Sequence, residues 1–148
     1  MPHTYTNFLY HIVFSTKDRY PFITKRFCPT IYEYIGGTIR GLGGISLEIG
    51  GIEDHVHLLV KLKHTLLVPN LMRELKPSVT TWARKNVDSK FEWQIGYGAF
   101  TVGQTQVEIV RRYILNQEKH HRRMNFDQEF ESILKQSEID YDLKYLWK

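Results

Sequence analysis

The apolar residues of this chain alternate between strand-like and helix-like spacing along residues 7–102, and the order of those segments restricts the fold more than any other feature. Asn7 to Ser15 is rich in aromatic and β-branched residues, which fits a buried strand. Apolar residues at 28, 31, 32, 35, 39 and 42 then follow helical spacing. This helix is expected to begin between Thr24 and Pro29 and to stop at Gly41–Gly44. Ile45–Ile52 and Val56–Leu62 read as two further strands, joined by a hairpin turn at Gly50-Gly51-Ile52-Glu53-Asp54. A second helix carries apolar residues at 68, 71, 72, 75, 79 and 82, with Pro69 in its first turn and Pro77 expected to kink it. Trp93 to Val102 supplies a fourth strand, in which Gly96 and Gly98 suggest a bulge. The order β-α-β-β-α-β predicts an α+β, ferredoxin-like (split βαβ) fold: an antiparallel four-stranded sheet with helices on one face. Thr105-x-x-Glu108 reads as a capping box that opens a third helix from Gln106 to His121. Phe126 to Leu134 predicts a short last helix, and the tail Ile139 to Trp147 alternates apolar and polar residues.

The chain has 148 residues, enough for one domain and too few for a (β/α)₈ barrel or a two-domain dehydrogenase. No stretch approaches the roughly 20 apolar residues of a membrane-spanning helix, so no membrane partner is expected. The opening Met-Pro-His-Thr-Tyr-Thr lacks the basic and apolar regions of a secretory signal. A single cysteine, Cys28, makes no intrachain disulfide and suits a reducing cytoplasm. The expected localisation is therefore cytoplasmic.

Net charge is +4, and its distribution is uneven. Residues 1–60 balance five basic against five acidic side chains, whereas residues 61–90 carry seven basic against Glu74 and Asp88. Residues 104–123 add Arg111, Arg112, Lys119, Arg122 and Arg123 against Glu108 and Glu118. Two basic segments of this kind suggest a polyanion footprint, with Lys76, Arg84, Lys85, Arg111 and Arg112 as candidate phosphate contacts. A solvated helix surface would show the same charges.

His55-Val56-His57 opens the third strand, where residues i and i+2 face the same way and both imidazoles can reach one cation. His57, at the beginning of its strand, is expected to contribute little to the core. A histidine-triad hydrolase would need a third histidine at position 59, which is Leu. What remains is a two-histidine site completed from elsewhere, or two histidines packed without metal. Tyr113 and Gln117 lie four apart on one face of the third helix, with His120 or His121 one turn further. A tyrosine beside a divalent ion and a bound phosphodiester can act as a covalent catalyst.

His55-Val56-His57-Leu58-Leu59, Trp93-Gln94-x-Gly96-Tyr97-x-Ala99-Phe100 and Tyr113-Ile114-x-Asn116-Gln117-x-x-His120-His121 resemble, in this order, the single-tyrosine HUH transposases of small bacterial and archaeal insertion sequences. The repeat-associated tyrosine transposases are close relatives. The resemblance covers about residues 5–125; it implies a catalytic domain over 1–125, whose C-terminal helix carries the nucleophile, and a tail over 126–148 that is not a separate domain. It implies that His55, His57 and Gln117 bind Mg²⁺ or Mn²⁺ and that Tyr113 is the nucleophile. The expected partner is single-stranded DNA with imperfect hairpins, cut and rejoined through a 5′-phosphotyrosine. A homodimer is also implied, in which the tyrosine helix of one subunit can serve the histidines of the other. Two other readings compete: a module that binds hairpin DNA or RNA without cutting it, and a metal-dependent nuclease that uses water.

Overall fold

The computed structural model describes residues 3–146. Four strands form one sheet: β1 (Phe8–Ser15), β2 (Gly44–Ile52), β3 (His55–Leu62) and β4 (Gly98–Thr101), in the order β2-β3-β1-β4. All neighbouring pairs are antiparallel, and β1 and β3 match over their full length from Phe8↔Leu62 to Ser15↔His55. This is the ferredoxin-like arrangement expected from the sequence.

Side-chain alternation along the strands divides the sheet into two faces with different work. Ile12, Phe14, Val56, Leu58, Val60 and Leu62 pack against α1 (Cys28–Gly41) and α2 (Val68–Asn86). Ile31, Ile35 and Ile39 from α1 and Leu71, Leu75 and Val79 from α2 complete this core, all fully buried. Their spacing is the helical stripe read from the sequence, and α2 runs on through Pro77. The opposite face presents His11, His55 and His57, and three shorter helices cover it: α3 (Val107–Leu115), α4 (Gln117–His120) and α5 (Phe126–Gln136).

The segments on that second face depart from the sequence-based expectations. The third helix does not run unbroken from Gln106 to His121: Asn116, with φ −96° and ψ 20°, separates α3 from α4. No side chain caps the start of α3, and Glu108 pairs with Arg111 instead of closing a capping box with Thr105. The capping box of this region lies at Asn125 and Gln128, where it opens α5. The fourth strand is shorter than expected. Lys76 Nζ donates to the carbonyls of Gln94 and Gly96 at 2.7 and 2.8 Å, and Gly96 takes φ +90°, so residues 95–97 leave the ladder, while the Gln94 N–H still donates to the Ser15 carbonyl at 2.9 Å. Trp93 keeps only an isolated bridge to Thr16. In the tail, Leu143–Leu146 forms one helical turn, α6, and Trp147 lies outside the described residues.

Candidate active site

The site grows from the β2–β3 hairpin. His55 and His57 are two residues apart on β3, so both rings point to the face opposite α1 and α2. Asp54, in the turn, holds His55 through Nδ1···Oδ1 at 2.8 Å. His11 on β1 holds His57 through Nε2···Nδ1 at 2.8 Å. Each ring is therefore anchored by Nδ1, which leaves Nε2 facing inward. β3 is an inner strand and His57 is 0% exposed, so it is fully buried on the face opposite the main core, and its removal is costlier than expected for a residue at a strand's beginning.

The covering helices bring the other groups. Gln117 opens α4 just after the break at Asn116, and its Oε1 lies 2.8 Å from His55 Nε2. Tyr113, one turn earlier, sets its ring 5.6 Å from that of His57, edge to face. Glu129 reaches in from α5, with Oε1 at 3.1 Å from His57 Nε2 and 3.3 Å from His55 Nε2. His121 Nε2 lies 3.1 Å from both Gln117 Oε1 and Glu129 Oε1. On its other oxygen, Glu129 accepts from Gln117 Nε2 at 3.0 Å and from the Tyr113 hydroxyl in a short hydrogen bond. A cavity of about 420 Å³, bordered by His11, Phe100, Tyr113, His120 and Glu129, opens onto this side.

Burial and charge set the ionisation of these groups. Burial opposes a charged His55, but hydrogen bonds to Asp54 and Glu129 outweigh it and carry its pKa up to about 9. Burial holds His57 down to about 4, helped by the His55 and His121 charges, and holds His11 down to about 3. Glu129 would be raised by burial, yet the imidazoles of His121, His55 and His57 around it keep it far below the usual carboxylate range. Burial first, and then the Glu129 charge, push the Tyr113 phenol above its ordinary value.

The donor chemistry fits a divalent cation. Two inward imidazole nitrogens and a carboxamide oxygen are suitable ligands for such an ion, and the carboxylate supplies compensating charge. Among the described residues, His55, His121 and Glu129 also form a group whose ligand atoms lie within 4.8 Å of one another.

The family described as Transposase IS200 like matches residues 4–117. The chain belongs to the IS200-like transposase family. Solved structures share the fold of this transposase at low identity. A candidate transposase from Deinococcus radiodurans R1 is 18% identical with a TM-score of 0.66, over 79% of this chain and 95% of its own. A REP-associated tyrosine transposase bound to a REP hairpin is 14% identical with a TM-score of 0.63, over 82% of this chain and 73% of its own. No curated protein matches the chain. As a member of a transposase family the protein is a DNA-cleaving enzyme, and no described helix is long and apolar enough to cross a membrane.

The fold of the transposase thus brings His55, His57, Tyr113 and Gln117 together within one chain. The five basic candidates are placed differently from one another. Lys76 is half-buried and bound to two carbonyls; desolvation lowers its pKa to about 8. Arg84 donates to the Phe91 carbonyl and pairs with Glu92, and Arg111 pairs with Glu48 and Glu108. Lys85 and Arg112 stand exposed. Sequence reasoning passed over His11 and Glu129. Glu129 had a signal: it falls three residues after Phe126 and one before Phe130, on the apolar stripe of α5.

Proposed function

We propose that this transposase cleaves and rejoins single-stranded DNA at hairpin-bearing ends through a covalent 5′-phosphotyrosine at Tyr113. The observation that carries this reading is the placement of the Tyr113 hydroxyl against the same carboxylate that touches His55 and His57. His55, His57 and Gln117 would hold the Mg²⁺ or Mn²⁺ ion, which would supply stabilisation of the negative charge that develops on oxygen. Tyr113 Oη forms the new bond to phosphorus, and the bond from phosphorus to the 3′ oxygen breaks, releasing a 3′-hydroxyl. Glu129 Oε2 accepts the Tyr113 hydroxyl and so orients Oη; the proton that the phenol loses as the new bond forms is balanced by the one the departing 3′ oxygen takes up, so no net proton is released. Rejoining is the reverse: a 3′-hydroxyl attacks the phosphotyrosine and frees Tyr113, so no outside energy source is needed. The DNA can approach from the cavity beside Tyr113, whose apolar wall at Phe100 and Ile109 offers a stacking surface.

Hairpin recognition is supported by the REP hairpin bound to the similar transposase and by the exposed cations Lys85 and Arg112. In the homodimer that belongs to this proposal, each tyrosine serves the histidines of its own chain, as its closeness to His57 supports.

Labelled hairpin DNA with a single-stranded flank, incubated with protein and Mg²⁺ or Mn²⁺ and run on a denaturing gel, tests the reading. A covalent protein–DNA band is expected, and Tyr113→Phe should lack it. Cleavage without the band would favour a nuclease that uses water; retention without cleavage would favour a binding module. Mixing Tyr113→Phe with His57→Ala should leave activity absent, because every cis site keeps one lesion. Recovery in the mixture would show exchange of the tyrosine helix between subunits.

A further inference from the structure

Five donor atoms meet at the site, and two of them come from residues beyond the family match. His121 and Glu129 follow residue 117, where that match ends. Glu129 Oε1 faces three imidazole nitrogens at once: His57 and His121 Nε2 at 3.1 Å and His55 Nε2 at 3.3 Å. A carboxylate oxygen has two lone pairs, so it cannot accept hydrogen bonds from all three. Gln117 Oε1 has the same crowding on a smaller scale, with His55 at 2.8 Å and His121 at 3.1 Å. Charge-assisted hydrogen bonds are also shorter than most of these contacts, at ~2.7–2.9 Å. Adjacent ligands around a divalent ion with bonds of ~2.1 Å, by contrast, lie ~3 Å apart. His55, His121 and Glu129 carry ligand atoms within 4.8 Å of one another, close enough for one cation, with Gln117 Oε1 beside two of them; His57 stands outside that group and would shift inward to join it.

We infer that Glu129 and His121 are metal ligands, joining His55, His57 and Gln117 in a set of three imidazoles, one carboxylate and one carboxamide. This rests on the proposed metal site and extends it. The ion then ties α5 to β3, and the Glu129 carboxylate links the ion to the Tyr113 hydroxyl. Three imidazoles shift preference towards the later transition metals, so Co²⁺ or Zn²⁺ should bind more tightly than Mn²⁺, and Mn²⁺ more tightly than Mg²⁺.

Titration of metal-free protein with Co²⁺, read by visible absorption and calorimetry, tests the assignment without any DNA. The wild type should bind one Co²⁺ that Mg²⁺ displaces only in large excess. Glu129→Gln should weaken Co²⁺ at least ~10-fold and move its absorption bands, since losing even an outer-shell partner costs ~10–100-fold. His57→Ala should remove binding. Thermal melts in chelator report whether each variant is folded. If Glu129→Gln does not fold, His121→Ala carries the same test, with the same expected loss. Wild-type affinity and spectrum in the position-129 and position-121 variants, with binding lost in His57→Ala, would overturn the extension and leave the smaller site standing. No Co²⁺ binding by the folded wild type would overturn both.

Discussion

Gly50→Ala should disable the nucleophile while leaving the main core intact. Gly50 lies on β2 directly opposite His57, and the backbone of α3 rests on it. A Cβ at this position would stand 2.6 Å from the Ile114 carbonyl oxygen and 2.7 Å from Ile114 Cγ2. Ordinary contact begins at 3.4 Å, so the carbonyl would have to retreat by about 0.8 Å. The obstructing atoms include backbone, and no side-chain rotation can relieve them. Ile114 is bonded to Tyr113, so the displacement passes to the nucleophile. A misplacement near 1 Å can cost roughly 10²-fold in rate, and overpacking typically costs ~1–3 kcal/mol of stability.

Single-turnover formation of the covalent band on hairpin DNA measures the first effect, and calorimetric melting measures the second. Gly103→Ala is the control, because nothing lies within 4 Å of its Cβ position and φ is −76°. It should match the wild type in both assays. Adduct formation by Gly50→Ala within about twofold of wild type, with unchanged melting, would refute the reasoning that the seat of α3 on β2 sets the position of Tyr113.

Tyr113→Phe should lose the adduct yet melt close to wild type, because Glu129 Oε2 keeps its bond from Gln117 Nε2; a large drop in melting temperature would contradict this. His57→Ala should lose the adduct and also destabilise the fold, since buried groups of His11 and Glu129 lose a partner at ~1–3 kcal/mol each; unchanged denaturant melting would contradict that cost. In chelator, stability should peak near pH ~6.5, the unfolded histidine value. His57 and His11 stabilise the fold above that value and lose their contribution as pH falls towards about 4 and about 3; His55 contributes below it and loses its share as pH rises through about 9, so a flat melting profile across this range would contradict the assignment. Lys85→Ala with Arg112→Ala should reduce the salt dependence of DNA binding by about 0.7 for each single-strand phosphate that is no longer neutralised, and an unchanged slope would assign both side chains to solvent.

The parts legible in the sequence are those governed by local period. Ile31, Ile35 and Ile39 mark the buried side of α1, and the alternation Val56, Leu58, Val60, Leu62 separates the core face of β3 from the face that carries His55 and His57. The three quoted motifs then point to the transposase family without any coordinates. The break at Asn116 is not legible, because every residue from Val107 to His120 tolerates a helix and the interruption comes from the packing of the whole segment. The position of the capping box is hidden for a similar reason. Thr105-x-x-Glu108 and Asn125-x-x-Gln128 both satisfy the pattern, but the turn at residues 104–106 and the Arg111 pairing remove the first.

Glu129 shows how far local patterning reaches. A carboxylate on the apolar face of a helix, between Phe126 and Phe130, is costly to bury unless other groups offset its charge. The sequence of α5 alone therefore demands either that this face be wet or that a cationic or hydrogen-bonding partner wait opposite. At 1% exposure the first option is excluded. The partners are Tyr113, Gln117, His121 and the two histidines of β3, a set that only the folded sheet brings to one point. The demand for a partner is local and readable; its identity depends on pairings such as that of Glu129 with His57, 72 residues away in the chain, which periodicity does not carry.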